Sequence, residues 1–174
     1  MWNNIIKYGL ITGVITAGYL ALLYAGGMSI FSNWWITLLL YPILIFCLIF
    51  FAKKVRNENP DVKFDYGKAF VTVFVIGAIA SVVMLIWNII LFNAIDKELG
   101  VKLTEQVIEQ TMEMMEKFGA PASAIEESMK GFENMEDQFT VSGQVKSWAT
   151  GLIVYAIIAA ICAIFIKRKE EGIV

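Results

Sequence analysis

Three stretches of the chain carry no charged side chain and are long enough to cross a membrane as helices: Tyr8 to Ala52, Ala69 to Ile95 and Ser147 to Ile166. A hydrocarbon core about 30 Å thick needs roughly 20 apolar residues at about 1.5 Å of rise each. The first stretch has 45 residues, which would make a rod of roughly 68 Å, so the chain must reverse inside it. Gly26, Gly27, Ser29, Ser32 and Asn33 are the cluster of turn-forming residues available. The pattern predicts an all-α, polytopic membrane protein with four transmembrane helices, at about 8–25, 34–52, 69–95 and 147–166. The first apolar run exceeds the roughly 7 to 15 residues of a signal-peptide core, so it is read as a retained span.

Between the third and fourth spans, residues 96–146 change character. Thr104 is placed as an N-cap, with Leu103 and Ile108 spaced as a hydrophobic staple across it, and the helix it opens should run to about Phe118 and stop at Gly119. After Pro121, Ser123 and Glu126 have capping-box spacing, which predicts a second helix reaching about Phe139. Ile108, Met112 and Met115 fall on one face of the first helix. Ile125, Met129, Phe132 and Phe139 fall on one face of the second, with Met135 beside it. Two amphipathic helices joined by a short turn read as an antiparallel hairpin. In the shorter segment between the second and third spans, Asp65 is placed to cap the third helix. The rest, around Pro60, reads as a solvated linker.

Composition agrees with the pattern: 58% of residues are hydrophobic, 17% are charged, and the mean hydropathy is +0.66. Charge adds orientation. Lys7, Lys53, Lys54, Arg56, Lys63, Lys68, Lys167, Arg168 and Lys169 are nine of the fourteen basic residues and fall on one side of the spans. The other side holds the 96–146 segment, with eleven acids against five lysines. Basic residues flanking spans stay in the cytoplasm, which places both termini there and the hairpin outside. Tyr24, Trp34, Trp35 and Trp148 then mark the outer boundary, and Trp2, Tyr8 and Tyr66 the inner one.

Candidate chemistry is sparse. The chain has no histidine, and Cys47 and Cys162 lie inside spans as packing residues. No phosphate loop, dinucleotide fingerprint or zinc spacing is present, and nothing points to nucleic acid. No enzyme activity and no cofactor is expected. Glu105, Glu109, Glu113 and Glu116 share a helix face, which reads as a solvated surface. Met112, Met114, Met115, Met129 and Met135 could offer thioethers to Cu(I), but all except Met114 fall on or beside the apolar stripes, where packing accounts for them. Asn88 and Asn93 in the third span and Thr12 and Thr16 in the first are polar residues within the membrane; an Asn there is expected to bond across to another helix, with a polar pore lining as the alternative. Gly9, Gly13, Ala17, Ala21 and Ala25 recur every fourth residue in the first span. They form a smooth stripe that either holds the bundle together or receives a second subunit.

These features together resemble domain-of-unknown-function family 4199, small four-helix membrane proteins found largely in Bacteroidota. The resemblance is carried by Lys7-Tyr8-Gly9-Leu10 with Gly13, and by the basic segment leading into Phe64-Asp65-Tyr66-Gly67-Lys68-Ala69-Phe70. It continues through the Met- and Glu-rich segment with Gly119-Ala120 to the closing Lys167-Arg168-Lys169. It implies the inner membrane of a Gram-negative bacterium and supplies no activity. The expected partners are the bilayer and either an envelope protein or a second copy of the chain. The expected contact surface is Ile108, Met112, Ile125, Met129 and Phe132 with Glu109 and Glu116. The competing expectation is a small channel or carrier for an uncharged or cationic solute, although the spans hold no intramembrane charge of the kind proton-coupled carriers use. The orientation is testable. Cysteines placed at Asn57 and at Glu170 should resist an impermeant maleimide in intact spheroplasts while one at Glu127 reacts, and the reverse pattern would invert the topology.

Overall fold

The computed structural model describes residues 1–132 and 135–168, apart from the side chain of Trp34. Lys169 and Glu170, assigned above to the basic side, lie outside the described residues, as do Glu133 and Asn134 of the second predicted hairpin helix. The described chain is helical, without strands: α1 (Trp2–Ala25), α2 (Met28–Phe31), α3 (Trp34–Leu38), α4 (Leu40–Asn57), α5 (Tyr66–Ile90), α6 (Leu99–Lys117), α7 (Ala122–Lys130) and α8 (Val141–Ile166). A π-helical turn, Leu91–Ile95, extends α5, and a 3-10 turn, Met135–Phe139, precedes α8.

Four helices are long and apolar enough to cross a membrane: Trp2–Ala25, Trp35–Asn57, Tyr66–Ile95 and Val141–Ile166. The helices overrun the charge-free stretches because Lys7, Lys53, Lys54 and Arg56 are good helix formers. An uncharged run marks where hydrocarbon ends, not where the helix does. The second span is jointed at Leu39, between α3 and α4. Pro42 in the first turn of α4 has no N–H to give to Leu38, so the ladder restarts there. In the turn before it, Gly27 takes φ +94 and Asn33 Oδ1 accepts from Trp35 N at 3.1 Å. Asp65 caps α5, its Oδ1 accepting from Lys68 N at 2.8 Å.

The chain divides into two compact units, one formed by Met1–Met84 with the described part of Ala149–Val174, the other by Leu85–Trp148. In the first unit all four membrane helices contribute to one core, with Ile5, Leu48, Val55, Ile76, Ala163 and Ile166 almost wholly enclosed. Elsewhere large apolar side chains point outward: Leu22, Phe46 and Ile153 are 73%, 68% and 64% exposed. Such a surface is suited to lipid tails. Thr12 and Thr16 are buried, and their hydroxyls donate to the Tyr8, Thr12 and Gly13 carbonyls. These bonds lie within α1. The low cost of that arrangement lies in a carbonyl one turn back always being in reach.

At Gly9 and Gly13, α1 comes close to α5. A Cβ on Gly9 would stand 2.7 Å from Ile79 Cβ, and one on Gly13 would stand 2.6 Å from Val83 Cβ and 3.1 Å from the Ala80 carbonyl oxygen. At the basic end of the helices, polar side chains tie distant segments together. Arg56 donates to the last helical carbonyl of α8, Ile166 O, at 2.8 Å. Arg168 donates back to Arg56 O at 3.3 Å and to Pro60 O at 2.7 Å. Glu58 accepts from Asn4 Nδ2 at 2.8 Å and from Tyr8 OH at 2.6 Å. Phe64 is buried beneath this network. Glu58, Pro60, Asp61 and Lys63 are nonetheless exposed, as a solvated linker requires, and the arginines reach carbonyls at its two ends. Gly13→Leu should destabilise the protein by about 1–3 kcal/mol through overpacking. Gly18→Leu, where a Cβ meets nothing within 4 Å, should be neutral. Thermal melts of both variants in detergent measure the difference, and equal melting would exclude the α1–α5 contact.

Candidate functional site

The polar chemistry of the second unit begins where α5 loosens into its π turn. Asp96 N donates to Leu91 O at 2.9 Å, five residues back. Asp96 Oδ1 then accepts from Glu98 N at 3.2 Å, which turns the chain into α6. Thr104 is not the N-cap of that helix. It sits in the helix interior, buried, with its hydroxyl donating to Gly100 O at 3.0 Å. The helix starts five residues earlier because Leu99 is only 2% exposed. Burying a leucine contributes roughly 1.5–3 kcal/mol, more than the ~1 kcal/mol of a good cap.

The end of α6 follows local backbone chemistry. Gly119 takes φ +71, its N–H donates to Glu116 O, and Ala120 N donates to Met115 O, the paired bonds of a Schellman termination. The capping box at Ser123 and Glu126 does not form. Pro121 is the N-cap of α7 with extended backbone, the Ala124 and Ile125 amides both donate to its carbonyl, and no side chain caps the helix. Ser123 therefore lies inside the first turn. The second helix also stops short of Phe139. It closes at Gly131, where the Gly131 and Phe132 amides each donate three residues back, and glycine's backbone entropy favours that exit.

Phe139 fastens the returning chain. Its ring lies 4.8 Å from that of Phe92, and a Cβ on Gly100 would come within 2.9 Å of its own Cβ. Its carbonyl accepts from Gln144 Nε2 at 2.8 Å and from Asn93 Nδ2 at 3.4 Å. Thr140 Oγ1 donates to Asp137 O and accepts from Gly143 N at 3.1 Å, capping α8. A Cβ on Gly143 would overlap the Asp137 carbonyl oxygen. Beside Phe139 a cleft of about 240 Å³ opens among the π turn, the start of α6 and the 3-10 turn.

The structure places the sequence candidates in two groups. Gly9 and Gly13 are buried against α5, Ala17 and Ala21 are half-buried, and Ala25 is exposed, so the stripe is enclosed only along its first part. Ile108 and Met112 on α6, Ile125 and Met129 on α7, and Phe132 after it are all half-buried, with α6 packed against α7. Glu109 and Glu116 are exposed and make no ion pair with any described residue. Among the methionines, Met114 is 51% exposed while Met112, Met115, Met129 and Met135 are half-buried. The described residues hold no group of three or more His, Cys, Asp or Glu that could bind a metal.

Two features escape sequence reading. Phe118, which reads as a helix end, is 85% exposed at the turn of the hairpin, the most exposed of the large apolar side chains described. Its place directly before a Gly stop, beyond the stripe of Ile108, Met112 and Met115, is a usable signal. Gly100 and Gly143 give none, because the groups crowding them, Phe139 and Asp137, come from the far side of a loop.

A family model described as Protein of unknown function (DUF4199) matches residues 7–168. The chain is a DUF4199 protein. No curated protein and no solved structure matches it. The match runs through Gly9, Gly13, both hairpin helices and Arg168, so the family covers both units. In this DUF4199 protein, Gly143→Ala should lift the 3-10 turn off α8. Hydrogen exchange at residues 135–140 should speed up at least tenfold with exchange in α1 unchanged, and unchanged exchange at both sites would exclude the contact.

Proposed function

We propose that this DUF4199 protein is a non-enzymatic accessory or structural subunit of the bacterial inner membrane, with both termini in the cytoplasm, whose hairpin binds another envelope protein. The observation that carries the reading is the hairpin tip. Phe118 is 85% exposed beside Met114, on a helix whose opposite flank presents exposed Glu105, Glu109, Glu113 and Glu116. An exposed aromatic on one face of a helix whose other face is acidic suits a protein-binding surface. The helix-to-lysine pairs Glu98–Lys102 and Glu113–Lys117 are exposed and contribute little, so they do not cancel that field. The complementary partner carries a basic rim around an apolar pocket. Polar chemistry within the spans comes from hydroxyls, amides, phenols, indoles and the thiols of Cys47 and Cys162, and the hydroxyls of Thr12, Thr16 and Thr72 are spent on their own helices. That favours a scaffold over catalysis.

Affinity purification from native membranes in mild detergent tests the reading. A reproducible envelope partner should be recovered with wild type. Glu109→Lys with Glu116→Lys should lower its recovery and flatten the salt dependence without lowering thermal stability. Phe118→Ser should lower recovery at every salt concentration. Undiminished recovery with both variants would remove the hairpin from the interaction.

A further inference from the structure

The cleft beside Phe139 is a composed site whose position in the chain points to a class of ligand. Phe92 and Asn93 belong to the final turn of the third membrane helix, and Thr140 caps the fourth, whose charge-free stretch begins at Ser147. Residues at that level of a span lie at the depth of lipid headgroups. The wall combines opposite charges, with Lys97 from the connection to α6 and Glu136 and Asp137 from the 3-10 turn, all exposed, and an aromatic face from the tilted Phe92–Phe139 pair. Asn93 lines the cleft as well, its amide nitrogen donating to Ile89 O at 3.1 Å and to Phe139 O at 3.4 Å. At about 240 Å³ the cleft falls below the roughly 300 Å³ at which pockets begin to enclose whole drug-sized molecules, and it suits a headgroup whose tails remain outside.

We propose that this cleft binds a phosphoethanolamine group, carried by a membrane lipid or free in solution. The ammonium donates to the Glu136 and Asp137 carboxylates, over the aromatic pair that favours a cation. The phosphate pairs with Lys97. Two acids against one lysine make the ammonium the discriminating end, so an anionic headgroup without an amine is rejected by the same residues. This assignment stands independently of the protein-binding role of the hairpin tip, because it uses neither Phe118 nor the Glu109 flank.

The test uses the full chain, stripped of lipid in detergent and titrated under native mass spectrometry with phosphatidylethanolamine and phosphatidylglycerol of matched acyl chains. Soluble O-phosphoethanolamine is the competitor. Phosphatidylethanolamine should bind at least fivefold more tightly than phosphatidylglycerol. Glu136→Gln with Asp137→Asn, both near-isosteric and exposed, should abolish that preference, and Lys97→Gln should weaken phosphatidylethanolamine binding. Val101→Trp, which fills the cleft from its wall, supplies an independent loss of binding with the charges intact. Displacement of the lipid by millimolar O-phosphoethanolamine would identify the headgroup alone as sufficient and admit a free ligand; binding without displacement would identify the lipid. Equal affinity for the two lipids in wild type, or a preference that survives both the double variant and Val101→Trp, overturns the proposal.

Discussion

Lipid tails offer a helix no hydrogen-bond partner and no hydrophobic reason to leave them for another helix. The first unit depends on that constraint. Association must come from contacts that lipid cannot match, and one is the approach of α5 to Gly9 and Gly13 of α1, where Ile79 and Val83 occupy the space a side chain would need. The same constraint explains the threonines. Buried hydroxyls in α1 and α5 bond back along their own helices, which costs less than an unsatisfied donor in hydrocarbon.

At the basic end the physics changes within one helical turn. Helix C-termini leave four carbonyls without partners, and at the water boundary arginine can reach them while keeping its charge hydrated. Arg56 and Arg168 do this reciprocally, each serving the helix end that the other extends, while Glu58 collects Asn4 and Tyr8. Polar bonds that would be expensive in the middle of the spans are concentrated where water shares their desolvation. Packing and polarity thus divide the first unit between them along the helix axis.

The second unit folds by the ordinary hydrophobic effect on a small scale. A nine-residue α7 is too short to persist alone in water, and its Ile125 and Met129 are half-buried. The stripes end half-buried, and Phe118 is left outside altogether. Phe139 supplies the firm point: its ring meets Phe92 and Gly100, and its carbonyl takes two side-chain donors. Exposed charged side chains gather in this unit because water can solvate them here, whereas hydrocarbon does not.

By itself the sequence determined the number of membrane helices and their approximate limits, since the free energy of placing a segment in hydrocarbon is close to a sum over its own residues. It also determined the Asp65 cap and the Gly119 stop, which depend on backbone amides and dihedrals within a few positions. Thr104 and Ser123 show where local reasoning ends. Both have the residue type and spacing of caps, yet burial of Leu99 starts α6 five residues before the first, and Pro121 starts α7 before the second. Only the tertiary structure decided that Arg168 serves Arg56, that Phe139 presses on Gly100, and that Phe118 remains uncovered. Those outcomes depend on groups distant in sequence whose meeting is set by how whole helices pack, and no spacing within either segment encodes the geometry of the other.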